Sequence, residues 1–128
     1  MKPNASPSQA FPAPMTDREE RLRHLPVDAR AAFNRFLADG DPQALEAVLL
    51  AILADFAPNI PDQPLAKLPG TTQLANDLGF DSLALAEVVF CAEDLFGITI
   101  SNEELILVRT LDDLRGFIHR KVATRAPR

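Results

Sequence analysis

Apolar residues recur along this chain at the spacing that places them on one face of an α-helix. The pattern is strong over residues 27–38, 41–56, 82–96 and 110–122. The second of these stretches opens with an acidic N-cap and then Pro42 at the first helical position, an arrangement typical of helix starts. The pattern therefore predicts an all-α protein.

Changes in composition divide the chain into a lead, an extension, a main domain and a tail. Residues 1–15 are rich in proline, serine and alanine, so we expect them to form a disordered lead. Residues 16–40 form an N-terminal helical extension, which begins with a short polar helix that ends at about His24. Residues 41–123 are predicted to be the main domain, and residues 124–128 a basic tail.

The second helix of the extension, over residues 27–38, gathers its apolar side chains within one arc of the helical wheel. These side chains are Ala29, Ala32, Phe33, Phe36 and Leu37. Two interpretations of this arc are open. The favoured one is that the helix covers part of the core, and the other is that it docks a partner protein.

The helix predicted for residues 82–96 is unusual because it has two apolar sides. One side is an ordinary core stripe made of Leu85, Val88, Val89, Ala92, Leu95 and Phe96. The opposite side carries Leu83, Ala86 and Phe90 among the acidic residues Glu87, Glu93 and Asp94. A small bundle cannot bury both sides of a surface helix, so the second side is predicted to dock partners. The alternative is that Phe90 folds onto a neighbouring loop.

A proline-rich loop over residues 57–71 leads through a short turn to the start of that helix. In this turn Gly79 permits a tight backbone conformation, Asp81 is predicted to be the N-cap, and Ser82 lies in the first helical turn. The first turn of a helix offers free N–H groups and the positive end of the helix dipole, which stabilise a nearby anion by about 0.3–1 kcal/mol. Ser82 is therefore predicted to be an attachment point for an anionic group.

A catalytic role for Ser82 is disfavoured, because a nucleophilic serine needs a base and an oxyanion hole. His24 and His119 lie in segments that give no sign of approaching it. Asp81 and Glu87 are better interpreted as an N-cap and an exposed acid than as an acid–base pair. The sequence has no glycine-rich phosphate loop and no metal-binding constellation. It therefore predicts neither catalytic residues nor an enzyme.

Charge is distributed unevenly along the chain, whose net charge is −5. Residues 41–108 carry eleven acidic residues against Lys67 alone, which disfavours nucleic acid and favours basic protein partners. The single cysteine, Cys91, excludes an internal disulfide, suits a reducing compartment and is interpreted as a packing residue. The sequence shows neither a secretory signal nor a membrane span, so we expect a cytoplasmic protein.

The turn and the helix after it together resemble the acyl carrier protein family. The resemblance is carried by Asp77-Leu78-Gly79-Phe80-Asp81-Ser82-Leu83, followed by Glu87, Glu93, Asp94, Phe96, Ile98 and Ile100, and it extends from about Asp41 to Val122. It implies an antiparallel four-helix bundle with a short third helix, preceded here by the helical extension. It also implies that a Mg²⁺-dependent phosphopantetheinyl transferase moves 4′-phosphopantetheine from coenzyme A to Ser82. The thiol of this arm would hold acyl groups as thioesters.

The resemblance also implies roles for residues around Ser82. Asp81 would assist at the interface with the transferase. The docking face for acyl-transferring and ketosynthase-type enzymes with basic patches would consist of Leu83, Glu87, Phe90, Glu93 and Asp94. The acyl chain would be sheltered between the second and third helices of the bundle, in a pocket lined by Val88, Ala92, Ile100, Leu105 and Leu107. The chain would act as a monomer.

Some features depart from the carriers of housekeeping fatty-acid synthesis. Those carriers are usually shorter and often have an acid two residues after the serine, where this chain has Ala84. Phe80 is common in polyketide-type carriers, and Asp81 argues against a peptidyl carrier. The favoured hypothesis is a carrier of a specialised fatty-acid or polyketide-like pathway. A housekeeping carrier remains open, as does a carrier-like adaptor that docks through residues 82–96 without using its serine.

Overall fold

The structure, a computed structural model, describes residues 17–59 and 61–124. Its elements are α1 (Asp17–Arg23), α2 (Val27–Asp39), α3 (Pro42–Phe56), a short 3-10 helix (Leu65–Lys67), α4 (Ser82–Phe96), α5 (Asn102–Leu105) and α6 (Leu111–Thr124). No β-strand occurs among these described residues, and the predicted all-α fold is confirmed. The last four α-helices are those of the predicted bundle, with α5 as its short third helix. Nothing in the described ranges forms a helix long and apolar enough to cross a membrane.

Side-chain caps set the starts of the two long helices of the bundle. At α3, the carboxylate of Asp41 accepts a hydrogen bond from the Gln43 N–H at 3.0 Å, and Pro42 follows the cap as predicted. At α4, the carboxylate of Asp81 accepts one from the Ala84 N–H at 2.8 Å. These bonds satisfy N–H groups that lack an acceptor inside the helix, and each cap is typically worth about 1 kcal/mol.

The third helix of the bundle is even shorter than its capping pattern suggests. Ser101 and Glu104 form the predicted capping box, with their side chains bonded to each other's backbone N–H groups. Immediately afterwards the Leu107 N–H bonds to the carbonyl of Glu104, three residues back instead of four, so the helix tightens and ends after one turn. Lys121 of α6 holds this turn in place through an ion pair with Glu104 at 2.7 Å. Its hydrogen bond is the main reason that the pKa of Glu104 falls to about 2.

The core lies around α3, whose predicted stripe is almost completely buried. Residues of α4 and α6 close over it from two sides. The largest fully buried side chains of these three helices are Leu49, Ile52, Leu53, Leu95, Phe96, Leu111, Leu114 and Ile118. Phe117 of α6 is buried as well. The periodicity of the sequence therefore identified the inward faces of these helices correctly.

The helical extension shares this core. Phe36 of α2 meets Phe96 of α4 edge-on, with ring centroids 5.6 Å apart, and Phe33 lies 6.4 Å from the same ring. This geometry supports the interpretation of α2 as a helix that covers the core. Two predicted segments, the disordered lead over residues 1–15 and the tail beyond Thr124, lie outside the described residues.

The long loop between α3 and α4 is tied to the connection between α5 and α6. The Leu74 N–H bonds to the carbonyl of Arg109, and the Leu111 N–H bonds to the carbonyl of Thr72. Leu65, which lies within the loop, is buried against the bundle. These bonds fix the loop on the bundle and thereby fix the residues that follow it at the start of α4.

Candidate functional site

Ser82 is the first residue of α4 and is exposed to solvent. The residue before it, Asp81, is extended and uses one carboxylate oxygen to cap the helix, as predicted. The hydroxyl of Ser82 therefore projects at the positive end of a fifteen-residue helix, beside the N–H groups of the first turn. A phosphodiester at this hydroxyl would find favourable backbone dipoles and would displace no buried group.

The turn before Ser82 is held on both sides of Gly79. Leu78 and Phe80 are buried in the core, while Gly79 has a φ of +76°, in the left-handed region that favours glycine. A Cβ atom at Gly79 would lie 2.7 Å from the side-chain nitrogen of Asn59, so the turn also needs glycine for space. The backbone N–H of Asn59 donates to the carbonyl of Leu78 at 3.1 Å. Asn59 thus supports the turn from outside, a role that nothing in the sequence pattern signalled.

The first half of α4, taken as residues 82–90, presents its outer side to solvent. Leu83 is 72% exposed and Phe90 is 53% exposed, and Glu87 is half-buried between them along the helix. The exposure of Phe90 argues against the alternative that this ring folds onto a loop. An aromatic ring and a leucine beside an acidic residue form an amphipathic strip of the kind that binds partner proteins.

The second half of α4, residues 91–96, makes contacts with other parts of the chain. The carboxylate of Glu93 accepts a hydrogen bond from the Ile100 N–H at 2.8 Å, which joins the end of α4 to the strand-like link after it. Asp94 forms an ion pair with Arg21 of α1 at 3.1 Å. The structure therefore does not bring all five predicted docking residues onto one free surface. Sequence analysis missed Arg21, because α1 mixes three arginines with three acids and therefore has no net charge that points to α4.

The residues predicted to line an acyl pocket are not all gathered together. Val88 and Ala92 are buried in the core, and Ile100 and Leu105 are half-buried. Leu107 departs from the prediction: it is 75% exposed because α5 ends before it, and it borders an open groove of about 490 Å³ between α5 and α6. We therefore do not place Leu107 in a closed pocket.

A smaller cavity, which no sequence pattern indicated, lies beside the start of α4. Its volume is about 270 Å³, and its apolar lining includes Leu74, Phe80, Leu85 and Val108. Leu85 is one helical turn after Ser82, whereas the larger groove between α5 and α6 has no lining residue from α4. We consider the smaller cavity the better candidate for receiving a group attached at Ser82.

Both histidines have acidic neighbours away from Ser82. His24 lies 3.5 Å from Glu20 within the N-terminal part of the chain. His119 is half-buried and lies 3.2 Å from Glu46, which also pairs with Arg115. The contacts of Glu46 join α3 to α6 and stabilise the fold. Across the described ranges, no cluster of histidine, cysteine and acidic residues is arranged to hold a metal ion.

Sequence comparisons agree with this geometry. The chain matches the family described as phosphopantetheine attachment site over residues 47–118, more than half of its length. An acyl carrier protein of Thermobifida fusca is 29% identical over 75 residues, which cover 59% of this chain and 95% of that protein. An acyl carrier protein of Thermosynechococcus vestitus is 37% identical over 57 residues, covering 44% and 70% respectively. Acyl carrier protein MbtL of Mycobacterium tuberculosis is 32% identical over 80 residues, covering 62% and 90%.

The matched region includes Ser82 and the whole of α4, and it leaves out α1 and α2. The extension is therefore an addition to the shared domain, although α2 packs into the same core. The chain belongs to the acyl carrier protein family, as a non-catalytic carrier of covalently attached 4′-phosphopantetheine.

Proposed function

We propose that Ser82 is the attachment residue and that the chain carries acyl intermediates in a specialised fatty-acid or polyketide-like pathway. The observation that carries the assignment is the exposed hydroxyl of Ser82 at the first residue of α4, inside the region that matches the family. In this assignment Ser82 Oγ attacks the β-phosphorus of coenzyme A while a base of the transferase takes its proton. Adenosine 3′,5′-bisphosphate leaves. The attached arm supplies a thiol that holds acyl groups as thioesters.

Asp81 and the outer side of α4 would serve the enzymes that meet this arm. Asp81 is exposed and caps the helix with one oxygen, which leaves its other oxygen for the Mg²⁺ of the transferase. Leu83, Glu87 and Phe90 form the open part of the proposed docking face. Positive patches on the transferase and on ketosynthase-type enzymes would complement the acidic charge of α4 and speed their association.

The acyl chain would enter beside the start of α4. The cavity lined by Phe80, Leu85 and Val108 would form its mouth. Val88 and Ala92 would form its floor, next to Ile100 and Leu105. Because both floor residues are fully buried, a long chain would have to separate α4 from α5 to reach them. The single turn of α5 makes it the easiest helix of the bundle to shift.

Two features favour a specialised pathway over housekeeping fatty-acid synthesis. Ala84 stands where housekeeping carriers often have an acid, and α1 covers a part of the docking face. Expression of this chain in cells depleted of their own fatty-acid carrier tests the point. We expect no growth, and rescue of growth would favour the housekeeping role. A cytoplasmic location suits the lone thiol of Cys91, which has no second cysteine to pair with.

Intact mass after co-expression with a phosphopantetheinyl transferase tests the attachment. We expect wild-type protein to gain one phosphopantetheine and Ser82→Ala to gain none. Ser101→Ala is the matched control, because Ser101 is also an exposed serine at the start of a helix. Gain of mass by Ser82→Ala would refute the assignment. A wild-type protein that stays unmodified would instead favour the adaptor hypothesis.

A further inference from the structure

The seven-residue helix α1 packs against α4, the helix that carries the proposed docking face. Its contacts fall on the second half of α4, near Cys91 and Asp94. The Nε atom of Arg21 lies 3.1 Å from a carboxylate oxygen of Asp94, and both side chains are half-buried. A charge-assisted contact that is partly withdrawn from water is stronger than an exposed ion pair.

Opposite charges meet at the end of α4. α4 has three acidic residues and no basic one, and α1, which has three acids and three arginines, brings two of those arginines to Asp94. Arg18 lies with its guanidinium 5.6 Å from the ring centre of Phe33 and its Nε 3.5 Å from the backbone carbonyl of Asp94. Two arginines thus approach the end of α4 from the same short helix. A basic partner protein would offer the acidic face the same kind of contact.

The packing between α1 and the rest of the protein is incomplete. A cavity of about 210 Å³ remains under the helix, lined by Arg21, His24, Leu25, Asp55, Phe56 and Cys91. A helix of seven residues is too short to persist in water without such packing. α1 is therefore held by a few contacts, and release from α4 would also unfold it.

We propose that α1 is an intramolecular occupant of the docking face, which fills with Arg21 the place at Asp94 that an arginine of a partner enzyme takes. This inference rests on the proposed role of α4 as the docking face. An interface of ordinary size buries about 800 Å² on each partner, enough to extend along all of α4, whose fifteen residues span about 22 Å. A partner that docks beside Ser82 therefore has to displace α1 to use the whole face.

The buried thiol of Cys91 reports whether α1 is seated. Cys91 is 3% exposed and is the only cysteine of the sequence, so alkylation of apo protein with N-ethylmaleimide measures its opening alone. We expect Arg21→Glu to raise the alkylation rate about fivefold, as the loss of one ion pair predicts. Arg23→Glu changes the charge of α1 equally at a side chain 3.8 Å from Glu20 of the same helix, so we expect a smaller change.

The direction of the change in alkylation rate distinguishes exposure of the Cys91 thiol from a change in its pKa. Burial raises the pKa of the Cys91 thiol, and the positive charge of Arg21 partly lowers it. Loss of that charge alone would make the thiolate rarer and the reaction slower. A faster reaction in Arg21→Glu therefore means that the cover has opened. The double variant Arg21→Asp with Asp94→Arg should return the rate towards the wild-type value, and equal rates in the Arg21 and Arg23 single variants would overturn the proposal.

Loading of Ser82 by a phosphopantetheinyl transferase tests the competition itself. We expect the KM for the carrier to be several-fold lower for Arg21→Glu than for Arg23→Glu, because the first removes the ion pair with Asp94. Equal KM values would refute competition. If the assignment of Ser82 were wrong, no variant would gain mass, and the alkylation rates would still report whether α1 is seated.

Discussion

Both halves of α4 carry acidic and aromatic side chains, but the surroundings of the two halves are very different. The outer side of the first half lies in solvent, where Leu83 and Phe90 are exposed. The second half is covered by the extension, which brings Phe33 and Phe36 onto Phe96 and Arg21 onto Asp94. The same types of side chain, aromatic and acidic, thus face solvent at one end of the helix and the protein itself at the other.

This difference shows how an added segment changes a surface without changing its sequence. An acidic, apolar strip along α4 is available for docking only where nothing else in the chain covers it. The family match leaves out α1 and α2, so the covered half reflects what is particular to this chain. The following experiments compare the two halves by substitutions that are chemically alike.

The largest contrast is expected between the two phenylalanines of α4. Phe96 is fully buried among the rings of α2, so Phe96→Ala should lower the free energy of unfolding by about 3–5 kcal/mol. Phe90→Ala should change it by less than about 0.5 kcal/mol, because that ring is mostly in water. Urea unfolding of both variants measures the difference. Similar losses would mean that the outer side of α4 is part of the core.

The turn that presents Ser82 should be more sensitive to added volume than other turns are. Gly40 and Gly79 both have positive φ, but a Cβ has open space at Gly40 and meets Asn59 at Gly79. We expect Gly40→Ala to cost about 1 kcal/mol of stability from backbone strain and Gly79→Ala to cost about 2 kcal/mol or more. Thermal unfolding measures both.

The excess cost at Gly79 has its own control. Asn59→Ala removes the side-chain atoms that a new Cβ would meet. In the double variant with Gly79→Ala, the loss of stability should fall to the Gly40→Ala value. If the double variant were as unstable as Gly79→Ala alone, Asn59 would not be the support of this turn.

The open half should affect partners and leave folding unchanged. Phe90→Ala should lower kcat/KM for loading by the transferase about tenfold, the effect of one well-placed aromatic residue at an interface. Leu37→Ala is a suitable control, because Leu37 is also a large exposed apolar residue but lies on α2. Equal loading rates for Phe90→Ala and Leu37→Ala would contradict the docking role of the open half.

Much of the fold was predictable because its signals are local. The caps Asp41, Asp81 and Ser101 precede their helices in the sequence, and the helical periodicity identified the buried faces of α3, α4 and α6. Such signals depend on residues a few positions apart. The all-α class and the short third helix followed from them and from the resemblance.

The rest depends on contacts between residues far apart in sequence. Arg21 and Asp94 are 73 positions apart, and in the sequence each of them looks like an ordinary solvated charge. The support that Asn59 gives to Gly79 depends on the path of the loop between them, which no pattern specifies. Leu107 was placed in a pocket by the resemblance to the family, and the early end of α5 leaves it exposed.

The last comparison concerns pH and the covered half of α4. Burial raises the pKa of the Cys91 thiol from 9.0 to about 11 in the folded protein. The folded state then holds its proton at pH values where the unfolded chain has lost it, so this contribution to stability is complete below about pH 9 and declines as the pH rises to about 11. Cys91→Ala should remove the decline, which thermal unfolding between pH 8 and pH 11 would detect as a difference between the two proteins. Arg21→Glu, which uncovers the thiol, should move the pH midpoint of Cys91 alkylation down towards 9.0. A midpoint near 9.0 in the wild-type protein would mean that the second half of α4 is as open to water as the first.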